Sequence, residues 1–293
     1  MKSLVVINPA SGGGKGASIG AKVRNVLTSR AQDFEVVQAP SLEESLKEIE
    51  NLCAHNRFDH LICVGGDGLI HDLIPHVIKY EIPLLVVPAG TGNDFARTIG
   101  TYGKKIEDIL QIPTEHSPAE IDVGLIKSGS NLVPFVQILS TGFDSVVNAR
   151  ANNFRFVKGT IKYVVAVLLE VWKFKAVDFT LTIDGKLITQ KAMLVCVANG
   201  TSYGAGMKIV PHANHQDRML DVMVVDHVNP LRLLLVFPRV FFGTHIKHPK
   251  VHFYSGESIE INGDTQAYAD GEHISALPIH VTLSDKPLQV FKA

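Results

Sequence analysis

The sequence predicts an α/β domain followed by a β-rich domain, and two observations lead to that prediction. Over roughly the first 120 residues, short β-rich segments alternate with segments of helical periodicity, which is typical of a parallel sheet covered by helices. From Glu120 onward many short strands follow one another, which is typical of an antiparallel sandwich or barrel. A chain of 293 residues is long enough for two domains with separate cores.

The first half alternates predicted strands with predicted helices. Each helix has apolar residues at helical spacing and is long enough to connect two parallel strands. The predicted strands are residues 4–7, 34–38, 60–64 and 84–87, and the predicted helices are residues 17–30, 42–55 and 69–80.

The second half is predicted to begin at a composition shift near residues 114–118, which divides the chain into domains 1–118 and 119–293. Val290 and Phe291 form a candidate last strand that the pattern alone does not place, and we allow for its return to the first domain. Helices are predicted near residues 157–174 and 229–243. The predicted strands are residues 121–126, 132–140, 179–183, 192–198, 220–225, 251–254, 258–261 and 280–283.

Composition excludes several classes of protein. Lys and Arg (28) nearly balance Asp and Glu (29), so no overall positive charge favours nucleic acid, and we expect no nucleic-acid partner. Three widely spaced cysteines in apolar surroundings are typical of reduced thiols in a cytoplasmic protein. The first apolar run is too short for a signal peptide, and residues 163–172 and 231–242 are too short to span a bilayer. We therefore expect a cytoplasmic protein that is at most peripheral to the inner face of the membrane.

Three glycine-rich loops follow predicted strands. The first, residues 8–16, has proline at position 9 and Gly16 after Lys15, so it is not a Walker A loop, and no dinucleotide fingerprint is present. Taken alone, a flexible turn explains it as well as a nucleotide site does. The second, residues 65–68, sets Asp67 among glycines. Glycine-rich backbone can approach phosphate, and a carboxylate among the glycines can hold Mg²⁺.

The third loop, residues 88–94, opens a predicted helix. Thr91, Asn93 and Asp94 supply side chains suited to a helix N-terminus, which attracts anions. The alternative for Asn93 or Asp94 is a purely structural helix cap.

These motifs resemble the soluble bacterial diacylglycerol kinases, a family of lipid kinases related more distantly to sphingosine kinases and NAD kinases. The resemblance covers nearly the whole chain. Its ordered landmarks are residues 8–16, 65–68, 88–97, 122–124, 199–206, 211–221 and 270–272.

The resemblance implies an NAD kinase-like or diacylglycerol kinase-like α/β nucleotide domain and a β-sandwich domain, with the active site in the cleft between them. It also implies Mg²⁺-dependent transfer of the ATP γ-phosphoryl group to a lipid hydroxyl, diacylglycerol being the expected acceptor. A lipid hydroxyl needs a general base, and the resemblance places that base at Asp270, with Glu272 beside it in the motif. The alternative for Asp270 is an ordinary turn, because Asp-Gly is also a hairpin signal.

Further site residues follow from the same resemblance. Asp67, Asp94 and Asp122 would organise the catalytic Mg²⁺ and its water shell. The nucleotide phosphates would be held by Asn8, Pro9, Ser11, Gly12, Gly13, Lys15, Gly65, Gly66, Asp67, Gly68, Thr91 and Asn93.

A second, structural Mg²⁺ site is implied at residues 214–221. Asp217 would contribute its carboxylate, and Asn214 and Met219 their backbone carbonyls. The family usually has glycine after that aspartate, whereas this chain has Arg218, and a plain β-turn is the alternative.

The central loop departs from the family pattern at three further positions. Leu69, His71 and Asp72 stand where the family has threonine, asparagine and glutamate. Loss of one hydroxyl hydrogen bond costs about 1 kcal/mol, which predicts reduced or altered activity rather than none. His71 is either a nucleotide contact or a residue that simply starts a helix.

The sequence motifs say less about the lipid acceptor than about the nucleotide. A basic and aromatic segment suits an anionic bilayer, or else forms a solvated cationic face. It comprises Arg150, Phe154, Arg155, Phe156, Val157, Lys158, Lys162, Tyr163, Val164 and residues 172–175. Residues 231–242 either line an acyl-chain groove or belong to the core, and we favour the core.

Two alternative functions stay open. NAD kinase shares the G-G-D-G loop, although residues 88–97 and 270–272 favour the lipid branch. A nucleotide-binding or lipid-binding regulator is suggested by Leu69, although retention of the four aspartates argues against it. The oligomeric state is open, and a homodimer is one arrangement that the sequence allows.

Overall fold

The computed structural model describes residues 1–152, 154 and 161–293. The described part of the chain divides into two compact units. Unit 1 comprises Met1–Ile121 and Lys286–Ala293, and unit 2 comprises Asp122–Asp285.

The first 121 residues alternate strands and helices. Helix α2 begins as the sequence pattern suggests, because the Ser41 hydroxyl accepts the N–H of Glu44 at 3.2 Å and caps the helix. The elements are β1 (Lys2–Ile7), α1 (Ser11–Ser29), β2 (Asp33–Val37), α2 (Leu42–His55), β3 (His60–Gly65), α3 (Asp67–Lys79), β4 (Leu84–Pro88), α4 (Asp94–Thr98), α5 (Ile106–Ile109), α6 (Ile112–Glu115) and β5 (Ala119–Ile121).

Unit 2 is dominated by strands, and the last strand of the chain follows it. Its elements are β6 (Gly124–Ser128), β7 (Asn131–Phe135), β8 (Ile138–Gly142), α7 (Phe143–Asn152), α8 (Ile161–Glu170), β9 (Val177–Ile183), β10 (Lys186–Ala198), β11 (Leu220–Asp226), α9 (Pro230–Val236), the 3₁₀ segments Phe237–Phe242 and Thr244–Lys247, β12 (Val251–Gly256), β13 (Ser258–Asn262), β14 (Gln266–Ala269), β15 (Glu272–Ala276), β16 (Ile279–Leu283), and then β17 (Leu288–Val290).

The sheet of unit 1 has the strand order β2-β1-β3-β4-β17-β5. Strands β1 to β4 are parallel to one another. Strand β17 runs parallel to β4 and antiparallel to β5. All residues of β1, β3 and β4 are buried except Lys2 and Pro88 at the ends of β1 and β4, as continuous apolar runs in a helix-covered parallel sheet require. The predicted α/β architecture of the first half is confirmed.

The sheet of unit 2 has the order β15-β14-β8-β10-β9-β13-β16-β6-β7, with β11 on β10 and β12 on β11, and its pairings are antiparallel. One face packs into a core that includes Phe135, Phe179, Leu181, Val195 and Val222, each fully buried. The predicted antiparallel β-rich half is confirmed.

Two predicted strands are each divided in the structure. Residues 121–126 were expected to be continuous, but β5 ends at Ile121 and β6 begins at Gly124 in the other sheet, because the Asp122 N–H donates to the His215 carbonyl at 2.7 Å instead. Residues 132–140 divide into β7 and β8 because the N–H groups of Val136 and Gln137 donate to a carboxylate instead of a neighbouring strand. Long-range polar contacts interrupt both apolar runs.

The predicted helix at 229–243 is also shorter than expected. α9 ends at Val236 and a 3₁₀ segment follows, because Pro238 has no N–H to continue the helical ladder. Our placement of residues 231–242 in the core is only partly correct. Leu234 and Phe241 pack against buried clusters, but neither segment has a fully buried residue, and Leu231, Leu235 and Phe242 are largely exposed. The three cysteines are free thiols, as expected, and burial raises the pKa of Cys53 to about 11.

Candidate active site

Unit 1 places three loops at the carboxyl ends of adjacent parallel strands. Residues 8–16, 65–68 and 88–94 lie where β1, β3 and β4 end. The Asn8 N–H donates to the Val64 carbonyl at 3.1 Å, and the Asn8 Oδ1 accepts the N–H of Ala10 at 3.0 Å. Open α/β sheets bind ligands outside the carboxyl ends of their strands, so this edge is the first candidate for a nucleotide site.

The first loop turns through successive left-handed glycines. Gly12, Gly13 and Gly14 have φ of 60°, 72° and 99°, so α1 becomes regular only after them. A Cβ on Gly12 would overlap the Ala89 carbonyl oxygen, whereas nothing lies within 4 Å of a Cβ built on Gly13 or Gly14. Turns of this kind make anion-binding concavities, so the open backbone fits a phosphate group.

The second and third loops touch through glycine backbone. A Cβ on Gly90 would lie 2.5 Å from the Cα of Gly66, so neither position has room for a side chain. The Ala89 N–H also donates to the Gly65 carbonyl at 2.7 Å. The sequence separates these loops by a helix, and the structure joins them into one surface.

Asp67 links the same two loops. Its Oδ1 accepts the N–H of Phe95 at 3.1 Å and so caps the short helix α4 from outside that helix. Asn93 occupies the N-cap position with φ 54° but does not bond the helix through its side chain. Its amide instead exchanges two hydrogen bonds of 2.8 Å with the backbone of Gly90. The helix-cap interpretation of Asn93 is therefore wrong, because the amide holds the loop.

The remaining predicted nucleotide residues lie along the same edge. Lys15 and Thr91 are exposed, Pro9 and Ser11 are half-buried, and Asp94 is buried at the start of α4. Within the described residues, no group of three His, Cys, Asp or Glu side chains is arranged to hold a metal ion alone. Mg²⁺ usually binds through one or two carboxylates together with substrate phosphates, so Asp67 and Asp94 fit that ion only with a nucleotide present.

The substituted positions of the central loop lie on α3. Leu69 is buried and its side chain packs against Gly65, where a Cβ would lie 2.6 Å from a Leu69 methyl group. His71 and Asp72 are partly buried on the same helix. Leu69 therefore contributes to the packing of the loop.

Asp122, the first residue of unit 2, is bound by an arginine. Its side chain is 5% exposed. The backbone N–H of Arg218 donates to Asp122 Oδ2 at 2.9 Å, and the Arg218 guanidinium donates to Oδ1 at 3.3 Å. Both oxygens of the predicted metal ligand thus accept hydrogen bonds from one cationic residue.

The predicted second metal loop forms a turn closed by its own side chains. Asp217 Oδ1 accepts the N–H of Met219 at 3.1 Å, and Asn214 Oδ1 accepts the N–H of Gln216 at 3.2 Å. Arg218 brings a positive charge into the same turn. The implied donor set has a single, exposed carboxylate and two backbone carbonyls, and the Arg218 charge beside it opposes a divalent cation, so these residues do not fit the structural Mg²⁺ that the resemblance implies.

Asp270 lies in a two-residue hairpin turn between β14 and β15. Asp270 and Gly271 both have positive φ, 51° and 92°, as a type I′ turn requires. Asp270 Oδ1 accepts the N–H groups of Gln137 and Ile138 at 3.0 and 3.1 Å, and Oδ2 accepts that of Val136 at 2.9 Å. The turn interpretation is correct for the backbone, and the carboxylate is held rigidly. Glu272 starts β15 and is exposed.

A buried carboxylate that the sequence analysis missed lies near this hairpin. Asp144 of α7 accepts hydrogen bonds from the Ser140 hydroxyl and, at 2.7 Å, from the Asn148 amide. Burial raises the pKa of Asp144, which these hydrogen bonds partly oppose. Ser140 pairs with Tyr268, two residues before Asp270. Only a three-dimensional arrangement shows this cluster, because no motif marks Asp144.

The predicted basic and aromatic segment is partly described. Arg155, Phe156, Val157 and Lys158 lie outside the described residues, as do the side chains of Lys162 and Tyr163. Arg150 forms an ion pair with the buried Glu170, with its Nε 2.6 Å from Oε1, so it is not simply a solvated cation. Among the described helices, none is long and apolar enough to cross a membrane.

Two family profiles match this chain. The one described as "Diacylglycerol kinase catalytic domain" matches residues 2–126, and "YegS C-terminal NAD kinase beta sandwich-like domain" matches residues 137–292. A diacylglycerol kinase of Mycobacterium tuberculosis strain H37Rv is 30% identical over 295 residues, which cover 99% of this chain and 95% of that protein.

Solved structures share the fold. A crystal structure of a diacylglycerol kinase from Bacillus anthracis str. Sterne has a TM-score of 0.78 at 21% identity, covering 100% of this chain and 97% of that one. An NAD kinase from Archaeoglobus fulgidus in complex with ATP has a TM-score of 0.57 at 15% identity, covering 100% and 94%.

Together the fold and these matches define a phosphotransferase with an alcohol group as acceptor. The chain belongs to the diacylglycerol kinase family of lipid kinases.

Proposed function

We propose that the protein transfers the γ-phosphoryl group of ATP to the hydroxyl of a diacylglycerol-like lipid in a Mg²⁺-dependent reaction. The observation that carries this proposal is the union of three glycine-containing loops at the ends of β1, β3 and β4, with Asp67 bonded across two of them. Phosphoryl transfer depends mainly on positioning and on charge stabilisation, and rigid loops with a carboxylate provide both.

The backbone of the Gly12–Gly14 turn and of residues 65–68 would cradle the phosphates. Asn93 supports this cradle by holding Gly90 in place, which is a different role from direct phosphate contact. The other groups that we assign to the nucleotide are Asn8, Pro9, Ser11, Lys15 and Thr91.

Asp67 and Asp94 would hold Mg²⁺, which neutralises charge on the transferring phosphoryl group when it is bound. Asp67 can serve this role and still accept the Phe95 N–H, because a carboxylate has about four acceptor sites. Asp122 already accepts two hydrogen bonds from Arg218. We therefore assign Asp122 to the support of its own loop and leave it out of the metal ligands.

Asp270 would take the proton of the lipid hydroxyl as that oxygen attacks phosphorus. Three backbone N–H groups fix its carboxylate, two on Oδ1 and one on Oδ2. A base held in one orientation loses little entropy when it meets the substrate. Glu272 is exposed at the start of β15. We assign it a supporting role beside Asp270 at the lipid acceptor.

The test is a phosphoryl-transfer assay with γ-labelled ATP, Mg²⁺ and mixed micelles of diacylglycerol, monoacylglycerol, ceramide, sphingosine and phosphatidylglycerol, with NAD⁺ in a parallel reaction. We expect a labelled lipid from the wild-type protein and a loss of about 100-fold or more in Asp270→Asn. Asp184→Asn is the matched control, because Asp184 precedes a glycine in an equivalent turn and is expected to leave the rate unchanged.

The other outcomes of this assay separate the alternatives. Labelled NAD⁺ without labelled lipid would identify an NAD kinase. Nucleotide binding without transfer to any of these acceptors would identify a regulator, and in both cases our proposal would be wrong.

We also propose that the exposed apolar residues of α8, of α9 and of the segments that directly follow them contact an anionic bilayer, where the lipid acceptor resides. Val167 of α8 and Leu234 of α9 belong to one apolar cluster, so both helices border the same part of unit 2. These helices and the segments that follow them carry exposed apolar side chains, with exposed cations beside them in the sequence. The apolar residues are Leu168, Leu169, Trp172, Leu231, Leu235 and Phe242, and the cations are Lys173, Lys175, Arg232 and Arg239.

Exposed apolar side chains flanked by cations are typical of interfacial binding to anionic lipid. Cosedimentation with vesicles of phosphatidylglycerol and phosphatidylcholine tests the proposal. Leu235→Glu is expected to weaken binding about tenfold, since it adds a negative charge and removes an apolar contact. Leu187→Glu is the control, because Leu187 is 66% exposed on β10, outside this surface. Equal losses in both variants would contradict the assignment.

A further inference from the structure

Arg218 has a backbone conformation that its side chain does not favour. Its φ is 61°, in the left-handed region, which glycine and asparagine adopt readily but which strains the backbone of a residue with a long side chain. A charged residue persists at such a position when its contacts compensate for the strain. The contacts of Arg218 therefore indicate what the residue does.

Those contacts converge on Asp122. The Arg218 backbone N–H and its guanidinium donate to the two different oxygens of that carboxylate, at 2.9 and 3.3 Å. The same guanidinium nitrogen donates to the Ser284 carbonyl at 2.8 Å. Ser284 in turn donates its N–H to the Val123 carbonyl at 2.8 Å, so the arginine joins segments that are distant in the chain.

The burial of the two partners is unequal. The Asp122 side chain is 5% exposed and that of Arg218 is 52% exposed. A buried carboxylate is costly unless a cation and hydrogen bonds accompany it, whereas a half-exposed guanidinium keeps part of its hydration. Arg218 thus brings a positive charge to Asp122 from the solvent side, as a bound metal ion would.

We propose that the Arg218 guanidinium takes the place of a divalent cation at Asp122 and the 214–219 loop. The loop agrees with this assignment, because Asp217, the side chain that the resemblance gives to the metal, accepts the Met219 N–H within its own turn. In this proposal the positive charge beside Asp122 comes from the Arg218 guanidinium and not from a bound metal ion. The inference concerns the stability of unit 2 and stands whether or not the protein phosphorylates diacylglycerol.

The test compares the thermal midpoints of the full-length wild-type protein and Arg218→Asn without nucleotide, in EDTA and in millimolar MgCl₂. Asparagine tolerates left-handed φ, so this variant removes the charge without adding backbone strain. In EDTA we expect the variant to melt about 4–8 °C below the wild type, because Asp122 loses its cation. The quantity measured is the difference in thermal midpoint between the two proteins in the same buffer. Stabilisation by Mg²⁺ bound elsewhere affects both proteins equally and cancels from this difference, which we call the gap.

In MgCl₂ we expect the gap to narrow by at least half, because Mg²⁺ can then take the place of the missing guanidinium. Ala31→Asn is the control, since Ala31 is exposed and has a comparable φ of 51°, and its midpoint should match the wild type in both buffers. No gap in EDTA would overturn the proposal. An equal gap in both buffers would also overturn it, because Arg218 would then be an ordinary ion-pair partner.

Discussion

Asp270 and Asp184 occupy equivalent places in two Asp-Gly hairpin turns of unit 2. Asp184 and Gly185 join β9 to β10 with φ of 47° and 80°, and Asp270 and Gly271 join β14 to β15 with φ of 51° and 92°. The Asp184 carboxylate accepts the N–H of Ser258 at 2.9 Å and that of Glu257 at 3.1 Å. Each aspartate thus forms a turn and also holds a neighbouring segment.

Replacing either aspartate by asparagine is expected to lower the free energy of unfolding by about 1–3 kcal/mol. The amide NH₂ would face a backbone N–H that the carboxylate previously accepted, while asparagine still suits the turn. Urea denaturation of Asp184→Asn and Asp270→Asn measures this. Phosphoryl transfer should fall only in Asp270→Asn. If the rate of phosphoryl transfer fell comparably in Asp184→Asn, the fall in Asp270→Asn would be explained by loss of the hydrogen bonds that hold a neighbouring segment, and not by loss of a general base.

Substitutions of Asp67 are expected to distinguish the effect of its charge on activity from the effect of its hydrogen bond on stability. Asp67→Asn keeps an oxygen that can accept the Phe95 N–H but removes the negative charge that would hold Mg²⁺. We expect unfolding free energy to change by less than about 1 kcal/mol and kcat/KM to fall about 100-fold or more.

Asp67→Ala serves as the comparison. It removes the acceptor as well and should cost about 1 kcal/mol more stability than the asparagine variant. Full activity in Asp67→Asn, measured against MgCl₂ concentration, would remove Asp67 from the metal site.

Leu69 is expected to matter for packing more than for catalysis. Leu69→Thr removes apolar contact with Gly65 and should cost about 2–3 kcal/mol of unfolding free energy. A regained hydroxyl contributes about one hydrogen bond, so kcat/KM should stay within about fivefold of the wild type.

Ile70→Thr is the matched control for stability, since Ile70 is buried on the same helix. Steady-state kinetics with ATP as the varied substrate decides the catalytic part. A rise of about 100-fold in Leu69→Thr would instead mean that Leu69 suppresses activity.

His60 is expected to make unit 1 sensitive to acid. The ring is buried and its Nε2 lies 3.0 Å from the Ser3 hydroxyl. Burial lowers the pKa of His60 from 6.5 to about 4, and the nearby Asp59 opposes that shift in part. In the pH window between these two values the unfolded chain takes up a proton and the folded chain does not. Stability is therefore lost as the pH falls from about 6.5 towards 4.

The expected loss from this residue is roughly 2–3 kcal/mol at the acid end. Denaturant titrations at pH 7 and pH 4.5 measure it by comparing the wild type with His60→Gln, which can still accept from Ser3. The variant should lose less stability over this interval. An identical pH dependence in the two proteins would show that other groups account for the acid sensitivity.

Local pattern was enough to locate the strands that end at the candidate nucleotide site. The predicted strands 60–64 and 84–87 lie within β3 and β4, and the predicted helix 42–55 coincides with α2. These elements have continuous apolar runs, helical spacing and a serine cap, all of which are properties of neighbouring residues. The breaks at residues 122–123 and 136–137 carry no such local signal, because the groups that cause them come from His215 and Asp270.

The sequence by itself determined the two classes of architecture, the glycine-rich loops and the aspartates that resemble a lipid kinase site. Only the tertiary structure decided which partners those aspartates have: Phe95 for Asp67, Arg218 for Asp122 and the backbone of residues 136–138 for Asp270. These pairs are 28, 96 and up to 134 residues apart. Local propensity acts over a few residues, whereas such contacts form only when folding of each unit closes the intervening chain.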